Sequence, residues 1–136
     1  MKRATVIPTI RYRDAPAAID WLCGALGFTR QLVVPGEQEG TITHAQLRFA
    51  EREGDLGMVM VGSRRDDLFS EAGPSSIFVI VDDVDGHCAK ARAAGAKICM
   101  EPEDQGYGGR LYSCRDLEDN IWSFGSYDPW AAPDQV

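Results

Sequence analysis

Val6-Ile7-Pro8-Thr9-Ile10-Arg11-Tyr12-Arg13-Asp14 runs into a helical stretch that closes at Leu26-Gly27-Phe28. The second half answers with Ser75-Ser76-Ile77-Phe78-Val79-Ile80-Val81-Asp82-Asp83, running into a helical stretch that closes at Ala94-Gly95-Ala96. Asp14 and Gly27 fall on Asp82 and Gly95 at one constant offset. Each half therefore reads as strand, acidic helix start, short helix, glycine stop and further strands. A repeat of this size is a supersecondary unit that cannot bury its apolar face alone. The halves must share a sheet or a core, and a cleft between them becomes the natural site.

Local patterns fill in the rest. Val6 to Tyr12 alternates with period two and is rich in β-branched and aromatic residues, which predicts a strand. Asp14 offers an N-cap and Pro16 sits in the first turn, where its missing N–H is harmless. Ile19, Leu22, Cys23 and Leu26 then form one apolar stripe, and Gly27 supplies the stop. Strands are expected over 28–34, 42–49 and 56–61. In the second half, strands are expected at 77–81 and 97–100, a helix capped by Asp83 or Asp85 lies between them, and a loop covers 101–109. Strands 111–114 and 121–124 close the pattern. The helix would bury Val84, Cys88, Ala91 and Ala94, with His87 near its polar side. Residues 63–74, charged and without a period, connect two modules of about 5–62 and 75–127. A tail follows from 128 to 136.

Composition restricts the function. The chain has 136 residues, 44% hydrophobic and 26% charged, which suits one domain with a real core. A net charge of −7 argues against nucleic acid, which demands a basic surface, and is compatible with a cationic ligand. No apolar run approaches the ~18 residues of a membrane span. Met1-Lys2-Arg3-Ala4-Thr5 leads straight into a strand-like run without a signal-peptide core, so a cytoplasmic location is expected. The four cysteines, Cys23, Cys88, Cys99 and Cys114, form no C-x-x-C pair and lie in apolar segments. That predicts buried free thiols. There is no Gly-rich phosphate loop, no G-x-S-x-G and no Cys/His nucleophile pattern.

Three stretches carry a family resemblance. Asp14-Ala15-Pro16-Ala17-Ala18-Ile19-Asp20-Trp21-Leu22 through Leu26-Gly27-Phe28 is similar to "D-x-x-x-A-I-x-F-Y … L-G-F". Val81-Asp82-Asp83-Val84-Asp85 through Ala93-Ala94-Gly95-Ala96 is similar to "V-D-D-V-D … A-A-G-A". Gly106-Tyr107-Gly108-Gly109-Arg110, followed by Asp116 and Asn120-Ile121-Trp122-Ser123-Phe124, is similar to "W-G-x-R … D-P-x-G-x-x-W-x-F". Together they resemble the vicinal oxygen chelate superfamily of glyoxalase I, bleomycin-resistance proteins and extradiol dioxygenases. The ending, with Thr43-His44-Ala45-Gln46-Leu47, is closest to a PhnB-like glyoxalase/bleomycin-resistance branch. The resemblance implies an α+β fold of two β-α-β-β-β modules, a curved mixed sheet around a cavity, and a homodimer. One departure is Asp116-Leu117-Glu118-Asp119-Asn120, which stands where the family has an Asp-Pro-x-Gly turn; Asp and Asn can also serve a tight turn.

Enzymes of that superfamily hold a divalent ion with side chains from the first and last strands of each module. By the same resemblance, those places fall here on Ile7, on Ser75 or Ser76, on Ser123 and within Leu56–Val61. None offers imidazole or carboxylate, the ligands that Zn²⁺, Fe²⁺ or Mn²⁺ prefer. No metal, cofactor or catalytic residue is therefore assigned.

Candidate ligand-binding residues follow from strand alternation. His44, Gln46 and Arg48 share one strand face, which either lines a pocket or meets solvent. Met58 and Met60 form a same-face pair, and methionine adapts to irregular ligands as readily as it fills cores. The resemblance places Arg11 and Ser123 on the cavity side and Trp122 and Phe124 in the core, with Trp21 beside them. Tyr107 and Arg110 flank Gly108-Gly109 in a loop near the cavity mouth. Structurally, Arg110 could instead pair with Asp104 or Asp116. Trp130 in the tail either latches onto the body or lies free.

The function expected from this is metal-independent binding of a cationic or aromatic small molecule, an antibiotic or toxic metabolite, in the manner of bleomycin resistance. The alternative is a metal-dependent glyoxalase-like lyase or isomerase, or a dioxygenase-related enzyme, with His44 among its ligands. A structural module with a vestigial cavity is the third reading.

Overall fold

The computed structural model describes residues 4–131. In chain order the elements are β1 (Thr9–Tyr12), α1 (Ala15–Leu26), β2 (Thr29–Pro35), β3 (Ile42–Phe49) and β4 (Gly57–Ser63). After a 3-10 turn (Leu68–Glu71) come β5 (Ser76–Ile80), α2 (Val84–Ala93), β6 (Lys97–Asp104), β7 (Arg110–Arg115) and β8 (Ile121–Gly125). The result is the expected α+β repeat of two β-α-β-β-β modules. Each forms a four-stranded sheet, ordered β1-β4-β3-β2 and β5-β8-β7-β6, whose first strand pairs in parallel with its last.

Both helices begin and end on local chemistry. The Asp14 carboxylate accepts from Ala17 N–H and that of Asp83 accepts from Gly86 N–H, each satisfying a first-turn donor. A Cβ on Gly86 would meet the Asp83 carboxylate as it is placed, so a larger residue there would make that side chain shift. The repeat offset that put Asp14 on Asp82 is thus displaced by one residue at the helix start, because α2 is shorter than α1. Gly27 follows α1 at φ +89°, a left-handed conformation natural to glycine.

The helices lie between the sheets. From α1, Ile19, Leu22 and Leu26 join Tyr12, Leu47 and Val61 of the first sheet; from α2, Val84, Cys88 and Ala91 join Tyr112, Trp122 and Phe124 of the second. All belong to one core. Burying each large apolar side chain here contributes about 1.5–3 kcal/mol. The modules meet at Phe28, 5.4 Å from Trp122, and at Phe49, 6.3 Å from Phe124. The sheets therefore turn their inner faces toward the helices, while both outer faces point away from the shared core. Among the described residues, the two sheets do not close around a cavity.

Several expectations are corrected. The loop from 101 is in fact strand as far as Asp104; β6 is an edge strand, where Pro102 costs no inner ladder bond. His87 is not on a solvated face. Its Nε2–H donates to the Leu26 carbonyl at 2.9 Å, its Nδ1 accepts from the Tyr112 hydroxyl at 2.6 Å, and its ring stacks on Phe124. Cys88 and Cys114 are buried and free, with the Cys114 thiol pushed up to about 12 by burial. Cys23, however, is half-buried and Cys99 exposed. Trp21 is half-buried against the core, and Trp130 is 91% exposed.

The Asp116–Asn120 turn closes tightly without proline or glycine. Asp119 takes φ +70°, a left-handed conformation that glycine adopts most readily. Asp119→Gly is expected to stabilise the protein by at most about 0.5 kcal/mol in urea unfolding. It relieves roughly 1 kcal/mol of left-handed strain, offset in part by glycine's extra freedom in the unfolded chain. Asp119→Val should lower the midpoint, since a β-branched side chain tolerates that conformation worst.

Candidate functional site

Strand register sorts side chains between the two faces. Leu32 pairs with Gln46 and Gln46 with Met60, Val34 pairs with His44, Arg48 with Met58, and Thr9 with Met60. Paired residues project to the same side. These side chains and Arg11 therefore share the outer face of the first sheet, opposite Ala45, Leu47, Val59 and Val61. In the second sheet, Phe78 pairs with Ser123 and Ser123 with Ser113, placing all three on its outer face.

The first outer face is mixed in character. Leu32 is 44% and Val34 38% exposed, and Met58 and Met60 are half-buried. His44 donates its Nε2–H to Gln46 Oε1 at 2.9 Å. That bond places a proton on Nε2 and orients the ring along the strand. Arg11 lies across Gly62, where any Cβ would meet its Cδ at 3.6 Å and the Thr43 carbonyl at 3.2 Å. Its Nη1 donates to the Ser63 carbonyl and pairs with Asp67, each at 3.3 Å. On the second outer face, Phe78 is 39% exposed and the Ser113 and Ser123 hydroxyls share a hydrogen bond of 2.7 Å.

The positions that the family gives to metal ligands can now be located. Thr9 and Phe78 stand equally far ahead of their N-caps and pair with Met60 and Ser123. Met60 is therefore the first-module counterpart of Ser123, and Ile7 that of Ser76. A thioether, an alkyl group and two hydroxyls do not make a site for a hard or borderline divalent ion. Among the described residues, no group of three His, Cys, Asp or Glu side chains is placed to hold a metal.

The structure brings His44, Met58, Met60 and Arg11 together on one outer face and puts Ser123 on the other. Tyr107 and Arg110 stand apart from both groups. Tyr107 meets Tyr127 edge-on at 5.1 Å between ring centroids. Arg110 is held by Asp104 and Asp85, whose hydrogen bonds push its guanidinium up from its ordinary value. Of its two sequence-suggested structural partners, Asp104 is used and Asp116 is not. Sequence reasoning missed Leu32, Val34, Phe78 and Ser113. Alternation within β2 and β7 was a usable signal, but which side was outermost depended on register across the sheets.

Comparison with known proteins agrees with the architecture. Residues 5–124 match the family described as the Glyoxalase/Bleomycin resistance protein/Dioxygenase superfamily. The crystal structure of TioX from Micromonospora sp. ML1 is similar at 33% identity, over 90% of this chain and 97% of that one, with a TM-score of 0.72. A glyoxalase/bleomycin resistance protein from Streptomyces sp. CB03234, 20% identical over 89% of this chain and 98% of its own, shares the fold with a TM-score of 0.66. An uncharacterized protein of Mycobacterium tuberculosis is 33% identical over 122 residues, 87% of this chain and 71% of its own length. The chain belongs to the Glyoxalase/Bleomycin resistance protein/Dioxygenase superfamily.

Proposed function

We propose that this chain is a metal-independent small-molecule binding protein of the bleomycin-resistance type, acting as a homodimer. The first outer face of one protomer would meet the second outer face of its partner, so that two-fold symmetry creates two equal pockets. The single observation that carries the reading is the character of these faces. They expose Leu32, Val34 and Phe78, set Met58 and Met60 on one face with His44 and Gln46, and hold Met60 and Ser123 where an enzyme would need metal ligands. Apolar area with a few placed polar groups suits recognition of an aromatic compound better than bond-making. The net charge of −7 attracts cations at long range, whereas the charges fixed along the first outer face are Arg11 and Arg48. An aromatic ligand is therefore the first class to test. Tolerance to an antibiotic or toxic metabolite would be its use.

The test is calorimetric titration of untagged protein with a panel of planar aromatic compounds, neutral and charged, alongside sedimentation analysis. The expected result is a dimer that binds at least one neutral aromatic. Met60→Lys should weaken that binding at least about tenfold, because a buried ammonium is costly and the thioether contact is lost. Circular dichroism should show that the variant is folded, and sedimentation shows whether the loss comes with a weakened dimer. A monomer that binds nothing in the panel would end the proposal. So would one tightly held divalent ion per chain, which would bring metal-dependent lyase or dioxygenase-related chemistry forward.

A further inference from the structure

A cavity lies at the edge of the first outer face, between β1, the connector before β5 and the turn between β7 and β8. It measures about 80 Å³ and is lined by Arg11, Arg13, Arg64, Phe69, Ser75 and Glu118, among others. That is room for several waters or one small polyatomic ion. In a chain with 14 Lys and Arg against 21 Asp and Glu, three arginines and one carboxylate line this cavity. Glu118 is already engaged, accepting the backbone N–H groups of Arg13 at 2.7 Å and Asp14 at 2.9 Å.

We propose that this cavity binds a small oxyanion, a phosphate or carboxylate group, through Arg11, Arg13 and Arg64. Two of the three guanidinium groups are held in place before any ligand arrives. Arg11 is fixed through Nη1 by Ser63 and Asp67, with its guanidinium 5.8 Å from the centre of the Phe69 ring. Arg64 is fixed through Nη2 by the Ser70 carbonyl. Each bond uses one nitrogen, leaving the rest of the planar fork to meet an oxyanion. The carboxylates nearby are accounted for: Glu118 is bonded by backbone, and Asp67 is shared between Arg11 and Arg65. The connector itself is tied down, because Ser70 receives and donates hydrogen bonds with Asp67 and Arg65. Preorganised donors lose little freedom on binding, which favours a real site over a diffuse positive patch.

Arg11 and Thr9 belong both to this cavity and to the first outer face. The anion is therefore either free in solution or the charged end of a compound seated on that face. The site itself does not depend on the proposed function.

The test uses full-length protein labelled with ¹⁵N and follows arginine side-chain Nε resonances while inorganic phosphate is titrated at constant ionic strength, which removes general screening effects. Saturable shifts confined to Arg11, Arg13 and Arg64 are expected. Arg64→Gln should weaken binding about tenfold or more, the scale of a lost charge-assisted contact. Circular dichroism should confirm that the variant is folded. Absence of saturation, or equal shifts at Arg30 and Arg92 on the surface, would overturn the site. Phenyl phosphate separates the sources: tighter binding than inorganic phosphate supports an aromatic ligand with an anionic end, and equal binding supports a free anion. Neutral aromatics make no use of Arg64, so failure on the outer face and failure here are read from different titrations.

Discussion

Asp116→Ala is expected to destabilise the protein by about 3–5 kcal/mol, the scale of stripping the acceptor from several buried donors at once. Asp116 is 6% exposed. Its Oδ1 accepts the backbone N–H groups of Glu118 at 2.9 Å and Asn120 at 3.1 Å. Its Oδ2 accepts the Tyr12 hydroxyl at 2.6 Å and the Trp122 indole at 3.0 Å, and the Asn120 side chain donates to both oxygens. Burial first, and then the adjacent carboxylate, push the Tyr12 hydroxyl far above its ordinary value, so it remains a donor. Tyr12 belongs to the first module, and Asp116 and Trp122 to the second. Removing the carboxylate therefore loosens the junction as well as the turn. Tyr12→Phe removes a single donor and should cost only about 1 kcal/mol. Urea unfolding followed by circular dichroism and by tryptophan fluorescence checks both variants. A loss for Asp116→Ala no larger than that for Tyr12→Phe would mean that water replaces the carboxylate.

His87→Ala should cost about 2–4 kcal/mol, because the variant leaves the Tyr112 hydroxyl and the Leu26 carbonyl without their partner and opens a gap against Phe124. It should also change how stability depends on pH. Burial lowers the His87 pKa below its ordinary value of about 6.5. Glu51 opposes that shift and Lys90 adds to it. The unfolded state then binds a proton at a pH where the folded state does not, so stability rises with pH across that interval. The contribution is complete above about pH 6.5 and is lost as pH falls through the folded value. Protonation would also turn Nδ1 into a second donor facing the Tyr112 hydroxyl, forcing that hydroxyl to give up its bond. The wild type should therefore lose stability between neutral pH and mild acid faster than His87→Ala. Equal slopes would show that other groups govern the acid limb.

Much of the architecture was legible because it rests on local chemistry. The Asp14 cap, the Ile19-Leu22-Leu26 stripe and the Gly27 stop are set by neighbours a few residues away, and their repetition announced two modules. Trp122 and Phe124 were read as core from strand alternation once the family resemblance set Ser123 on the opposite face. His87 was misread for the complementary reason. Its partners, Leu26 and Tyr112, come from another helix and a distant strand, and no periodicity reports them. The extension of β6 through Glu101-Pro102-Glu103-Asp104 was missed because a polar edge strand carries no apolar alternation.

The sequence by itself determined the β-α-β-β-β repeat, which follows from residue type and spacing; the fold class, and the lack of imidazole or carboxylate at the metal positions, were legible through the family resemblance those same residues carry. Only the tertiary structure decided that the helices lie between the sheets, so that the outer faces carrying Met60 and Ser123 look away from each other. It alone decided that Arg110 is tied to Asp85 and Asp104, and that Arg11, Arg13 and Arg64 line one cavity. Those outcomes depend on which sheet face receives the shared core and on where the connector crosses β1. Both are set by packing between segments far apart in the chain, a competition that local pattern does not encode.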